Sequence, residues 1–183
     1  MPRNMAFGSG NRNEIELVKQ RIWGNDKDFP DDGESDAEYY PVNIVYSDEA
    51  LQMIAAESSK PPNSETGSAL IGSWQRDPDG YITVNVERIT GPVSDAVRDH
   101  ALFSPHMDYY RARIAYHRET HNWDYLSEWH KHPGNFDSLS NTDIDTAHEL
   151  INGEGWPLLL LPIVNEIKER FVMENNLILS HHS

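Results

Sequence analysis

The sequence predicts an α+β fold, with a mainly antiparallel or mixed β-sheet flanked by helices. Apolar residues alternate along Val42–Tyr46 and Tyr81–Arg88, as they do in half-buried strands. Apolar residues at helical spacing follow the first of these segments. Asp77-Pro78-Asp79-Gly80 is typical of a tight turn and precedes the second segment, so a hairpin is expected there. Strands and helices mixed in this way, with at least one hairpin, indicate α+β.

The other elements follow from local patterns taken in chain order. After the strand at residues 42–46, Ser47 is a typical helix N-cap, and Pro61 and Pro62 would stop the helix that it begins. Further predicted elements are a strand from Gly67 to Trp74 with its hairpin partner Tyr81 to Arg88, a helix from about Pro105 to Arg118, a strand from Trp123 to His132, a helix from Asn141 to Ile151, and closing strands over Leu158 to Val164 and Arg170 to Leu179.

The first 40 residues are expected to form an extension to a single domain at residues 41–183. Within the extension, residues 11–23 predict a helix, because Ile15, Val18, Ile22 and Trp23 recur at helical spacing. Residues 25–38 hold seven acids and one base without apolar periodicity, which predicts a mobile acidic linker.

Charge and composition exclude several classes of function. The chain has 183 residues, with 15 Lys+Arg against 30 Asp+Glu and a formal charge of −15, so attraction to nucleic acid or to anionic membranes is not expected. The absence of cysteine excludes disulfides, thiolate zinc ligands and a cysteine nucleophile. The longest apolar stretch, residues 156–164, is far shorter than a membrane span, and no secretory signal is evident. A cytoplasmic location is the default expectation.

One segment, residues 128–143, carries the pattern of a metal site. On a strand, His130 and His132 project from one face while Lys131 points to the other. Asp143 lies in the first turn of the following predicted helix and could return to the histidines. Two histidines and one carboxylate suit a catalytic zinc ion with one position left for water.

Ser140, three residues before Asp143, admits two interpretations. Ser140-x-x-Asp143 is a plain helix capping box. A serine that begins a helix can also direct its hydroxyl toward a substrate, so the capping and catalytic interpretations are compatible.

These residues resemble the JAMM motif of the JAB/MPN/Mov34 metalloproteases, in which His-x-His is followed by seven residues, Ser, two residues and Asp. His130, His132, Ser140 and Asp143 match those offsets, and Pro133 also matches. The family has an upstream glutamate at the start of a Gly-rich apolar strand, and residues 64–72, with Glu65, are similar to that segment. The resemblance covers about residues 42–175 and is greatest to the bacterial JAB branch.

The resemblance implies a fold, a cofactor and a role for each residue. It implies an MPN/JAB-like domain with cytidine-deaminase-like layering and one Zn²⁺ held by His130, His132 and Asp143. Glu65 would be the general base, which takes the water proton and passes it to the leaving amine, and Ser140 would stabilise the oxyanion. The implied substrate is the amide or isopeptide bond after the C-terminal tail of a ubiquitin-like protein, with E1-like or E2-like proteins as further partners, in a bacterial conjugation or antiviral system. Apart from the resemblance, residues 91–123 and the loop from Gly134 to Leu139, with Phe136 at its middle, could gate entry to the site.

The sequence leaves three alternatives open. The chain could be a JAB peptidase that trims a sulfur-carrier protein or short peptides. It could be an MPN-like scaffold that binds partners without turnover. A serine hydrolase using Ser138, His132 and Asp137 is a weaker choice, because no nucleophile-elbow sequence is present.

Overall fold

A computed structural model describes residues 15–23, 42–60, 65–91, 97–99, 102–104, 107–132, 139–153, 156–167 and 170–179. In this part of the chain the elements are, in order, β1 (Ile15–Trp23), β2 (Val42–Tyr46), α1 (Asp48–Ser58), β3 (Thr66–Arg76), β4 (Ile82–Ile89), β5 (Val97–Asp99), β6 (Leu102–Ser104), α2 (Met107–His121), β7 (Asp124–Lys131), α3 (Asn141–His148), a one-turn π-helix (Glu149–Gly153), β8 (Leu158–Ile167) and β9 (Arg170–Leu179).

Seven of the strands form one mixed sheet in the order β1-β9-β8-β7-β3-β4-β2, while β5 and β6 form a separate pair. The pairs β3/β4, β3/β7 and β8/β9 are antiparallel, whereas β1/β9, β2/β4 and β7/β8 are parallel. This mixed sheet with helices against it confirms the α+β prediction. β3 and β7 lie in the middle of the sheet, so whatever they carry rests on its most constrained strands.

Helix α1 covers one face of the sheet and closes the larger apolar core. Ile54 of α1, Trp129 of β7 and Val164 of β8 are all fully buried in this core. The only polar atom of the Trp129 ring is satisfied as well, because Nε1 donates to Ser68 Oγ at 2.9 Å. Since Trp129 points to the α1 face, its neighbour His130 points to the opposite face.

Helices α2 and α3 lie over that opposite face. Ala147 of α3 and Ile151 after it pack on Leu159, Leu161 and Ile178 in a second, smaller core. Tyr110 of α2 is 1% exposed, and burial is the largest cause that raises the pKa of its hydroxyl, followed by the charge of Glu128 on β7. The face that carries His130 is therefore bordered by two helices.

Most element predictions are confirmed, with shifts at the ends. Ser47 is the N-cap of α1, and its hydroxyl accepts from Ala50 N at 3.0 Å. The turn at 77–80 is closed by Gly80 N, which donates to Asp77 O at 3.0 Å. The helix predicted over Asn141–Ile151 is α-helical only to His148 and continues as the π-helix. The paired strands β5 and β6, three residues each, have too little pattern to be predicted.

The prediction of a helix at residues 11–23 is wrong for the residues that are described. Ile15–Trp23 is a strand, β1, that pairs in parallel with β9 from Ile15↔Phe171 to Trp23↔Ile178. The register shifts between Leu17 and Lys19. This irregularity interrupts the two-residue alternation that identifies a strand, so the spacing of the apolar residues imitates a helix.

Some predictions fall outside the described residues, namely the acidic linker at residues 25–38 and the gating loop around Phe136. Asp137 and Ser138 of the serine-hydrolase alternative also lie there. The boundary between residues 40 and 41 stays a prediction. Among the helices that the structure describes, none has the length and apolar character required to cross a membrane.

Candidate metal centre

Strand β7 brings the two predicted histidines together at its carboxyl end. His130 and His132 are two residues apart, so their rings leave the same face of the strand, and the Nε2 atoms lie 2.9 Å apart. Lys131, between them, points to the α1 face, where its Nζ donates to Ser58 O at 2.9 Å. The predicted alternation of side chains along β7 is confirmed.

Asp143 reaches the histidines from the first turn of α3. Its Oδ1 lies 3.5 Å from His130 Nε2, and its Oδ2 lies 3.9 Å from His132 Nε2. The ligand atoms of the three residues all lie within 4.8 Å of one another. The structure therefore forms the His/His/Asp cluster that the sequence predicts.

Burial and charge give the cluster the character of a ligand set. The side chains of His132, His130 and Asp143 are 6%, 14% and 19% exposed, so a bound ion would be shielded from solvent on most sides. Burial acts to raise the pKa of Asp143, but hydrogen bonding and charge from His130, together with hydrogen bonds from Ser140, outweigh it and hold that pKa well below its usual value. The carboxylate is thus held in the charged form that a metal requires.

The spacing of the donor atoms fits a small divalent ion. Zinc bound tetrahedrally to nitrogen and oxygen has ligand atoms about 3.3 Å apart, given bond lengths of about 2.0–2.1 Å. The two Nε2 atoms are 2.9 Å apart, and the carboxylate approaches His130 with Oδ1 at 3.5 Å and His132 with its other oxygen, Oδ2, at 3.9 Å. Two imidazoles and one carboxylate in this arrangement could hold a metal ion.

Ser140 is the N-cap of α3 and fixes the carboxylate of Asp143. Its backbone N and its hydroxyl each donate to Asp143 Oδ2 at 2.7 Å, and its Oγ accepts from Asp143 N at 3.2 Å. The capping-box interpretation is confirmed. The same bonds would orient Asp143 as a metal ligand, while the oxyanion role of Ser140 stays a prediction.

Glu65 is half-buried and directly precedes β3. The antiparallel register pairs Thr66 with Lys131 and Gly67 with His130, so Glu65 lies at the end of the sheet where His132 follows β7. The structure thus places the predicted base and the predicted ligands on adjoining ends of two paired strands. Its role as a base stays a prediction.

Glu128, another acid beside the cluster, is not among the site residues predicted from the sequence. Glu128 is two residues before His130 on β7, so both side chains lie on the same face of the strand. Burial raises the pKa of Glu128, and the charge of His130 opposes that effect. The two-residue offset from His130 was the signal that could have identified it.

Gly67 lets β3 and β7 approach each other at the cluster. A Cβ atom at Gly67 would collide with the backbone oxygen of Trp129 and lie 3.0 Å from His130 Cβ. Gly67→Ala is expected to cost about 3 kcal/mol of unfolding free energy, as overpacked sites do, and to displace His130. Urea unfolding and metal titration measure the two effects separately.

Gly72, farther along the same strand, supplies the matched control. A Cβ atom there would collide with the backbone oxygen of Asn85 on β4, away from the histidines. Gly72→Ala should also destabilise the fold, but its folded fraction should bind metal as the wild type does. Wild-type metal affinity in Gly67→Ala would contradict a role of this glycine at the cluster.

Comparison with known proteins adds little to this geometry. No family model and no curated protein matches the chain. Among solved structures, the chain is similar to the solution structure of protein DSY2949 from Desulfitobacterium hafniense, with 18% sequence identity and a TM-score of 0.47. The similarity covers 72% of this chain and 82% of that chain. A likeness of this size carries no argument about function, which depends on the site itself.

Proposed function

We propose that this chain is a zinc peptidase of the JAMM type, with an MPN/JAB-like domain. The observation that carries the proposal is the meeting of His130, His132 and Asp143 within 4.8 Å. Glu65, which precedes the strand paired with β7, supports it. A capping box alone would not require two histidines beside the capping carboxylate.

Each residue has a distinct part in the proposed hydrolysis. When bound, zinc makes water acidic enough to be a nucleophile near neutral pH and polarises the scissile carbonyl. Glu65 would take the proton of the attacking water as the C–O bond forms, and would give that proton to the leaving amine when the C–N bond breaks in the following step. Ser140 keeps the Asp143 ligand oriented, because its hydroxyl donates to Asp143 Oδ2. To stabilise the oxyanion as well, this hydroxyl would turn its single proton from Asp143 to the substrate.

The proposed substrate is the bond that follows the C-terminal tail of a ubiquitin-like protein. The cluster is largely buried, so the scissile carbonyl must approach it closely. A Gly-Gly tail has no side chains that would obstruct this approach. The net charge of −15 disfavours polyanionic partners, and E1-like or E2-like proteins of a cytoplasmic conjugation or antiviral system are the proposed partners.

The test combines metal analysis with cleavage assays. We expect the purified protein to bind one zinc ion per chain and to cleave linear fusions or isopeptide conjugates of a ubiquitin-like tail. A chelator should abolish cleavage, and added zinc should restore it. Zinc bound at one ion per chain without hydrolysis of any such substrate would contradict the peptidase proposal and favour a scaffold.

The choice of substrates separates the remaining alternatives. Cleavage of a sulfur-carrier precursor or of short peptides, with conjugates left intact, would identify a trimming peptidase instead. Cleavage that survives complete removal of the metal would contradict zinc catalysis altogether, since the three ligands would then have no part in the reaction.

A further inference from the structure

We propose that the C-terminal turn of α1 positions the metal centre from the opposite face of the sheet, with Lys131 as the positioning residue. This inference rests on the metal-binding part of the proposed function and not on any substrate. Besides Lys131, it involves Glu57, Ser58 and Thr66, whose contacts lie on the α1 side of the sheet, away from the ligand side chains.

Lys131 is a buried cation that connects β7 to α1. Its side chain lies on the face opposite His130 and His132 and is 2% exposed. The Nζ atom donates to Ser58 O at 2.9 Å, at the last residue of the helix. A cation at this end of a helix satisfies a terminal carbonyl and complements the helix dipole. The last turn of α1 contains no basic residue of its own, so β7 supplies this cation.

The same helical turn contacts β3 through Glu57. Thr66 is the register partner of Lys131, and its hydroxyl donates to Glu57 Oε1 at 3.4 Å. Glu57 is 6% exposed and also forms an ion pair with Lys60 at 2.7 Å. One turn of α1 therefore contacts the residue next to Glu65 on one strand and the residue between the two histidines on the other.

The burial of Lys131 restricts where its ammonium group can lie. A buried ammonium group is unfavourable unless hydrogen bonds hold it in a defined place. Because Lys131 shares its backbone with the two histidine residues beside it, fixing its side chain limits the movement of both ligands. An apolar residue of similar length could fill the space but could not bind the Ser58 carbonyl. We expect such a replacement to keep the fold and loosen the site.

The experiment compares two lysines that contact the same helical turn. Lys131→Met should bind zinc about tenfold more weakly than the wild type. This is the lower end of the loss seen when a residue that supports a metal ligand is replaced. Competition with a chromophoric chelator measures the affinity. The visible absorption of the cobalt-substituted variant should also change, because it reports ligand geometry. The urea midpoint of the metal-free variant should stay near that of the wild type. Lys60→Met, at a lysine whose side chain is 69% exposed, is the control and should change neither metal measurement.

Wild-type zinc affinity and an unchanged cobalt spectrum in Lys131→Met would overturn the proposal. If Lys131→Met does not fold, Thr66→Val, which removes only the hydroxyl contact to Glu57, is measured in the same way. An unchanged cobalt spectrum in that variant would then overturn it. Both measurements are made without substrate, so a wild-type protein that binds zinc but cleaves nothing would contradict the peptidase while leaving this test intact. A wild-type protein that binds no metal would overturn both.

Discussion

Replacing Asp143 with asparagine should abolish zinc binding while leaving α3 in place. The amide oxygen of asparagine can still accept from Ser140 N, which donates to Asp143 Oδ2 at 2.7 Å in the wild type, so the helix keeps most of its cap. The amide is neutral, however, and the site loses its one anionic ligand. We expect zinc affinity to fall by more than the roughly 100-fold that the loss of an outer partner can cost. Zinc content after dialysis and a chelator titration measure this change.

Asp145→Asn is the matched control for Asp143→Asn. Asp145 lies on the same helix, is exposed and is outside the cluster, so its variant should keep one zinc ion per chain. If the Asp143 and Asp145 variants retained zinc equally, Asp143 would not be a ligand beside His130 and His132, and the proposed centre would be wrong.

Asp143→Asn should also make the stability of the metal-free protein less dependent on pH in acid. Burial of Asp143 is outweighed by its contacts with His130 and Ser140, so its pKa in the folded state is below the unfolded value of about 3.9. Such a group stabilises the fold above the unfolded pKa, and that contribution is lost as the pH falls toward the folded pKa. Asp143→Asn should therefore show a shallower loss of stability below about pH 4, measured by urea unfolding at a series of pH values.

The His/His/Asp cluster could be predicted because most of its geometry is determined by residues close together in the sequence. Alternation along β7 is enough to put His130 and His132 on one face. The capping box of Ser140 and Asp143 involves only residues 140–143. Only the spatial meeting of the strand and the helix required more than local pattern, and the motif spacing supplied that as a hypothesis. The structure brings the predicted ligands together.

What could not be predicted depends on contacts between distant segments. β1 exists through its pairing with β9, more than 150 residues away in the chain, and its register shift conceals the strand pattern. Burial of Lys131 is equally non-local, since its hydrogen-bond acceptor is Ser58 O on α1. The sequence showed which way this lysine points and could not show what it contacts.

Loss of turnover with retention of zinc is the expected result for Glu65→Gln. Glutamine has nearly the same size as glutamate but cannot accept a proton from water, so the geometry stays while proton transfer is lost. We expect kcat to fall by about 10²–10⁴, the usual contribution of a positioned general base, with one zinc ion per chain unchanged. Glu119→Gln, at an exposed position on α2, is the control and should keep wild-type kcat.

Because Glu65 precedes Thr66, the register partner of Lys131, its carboxyl group is on the strand end nearest the ligands. If Glu65→Gln turns over within tenfold of the wild type, the proton must be taken by another group, and half-buried Glu128, two residues before His130, would be the next carboxylate to replace.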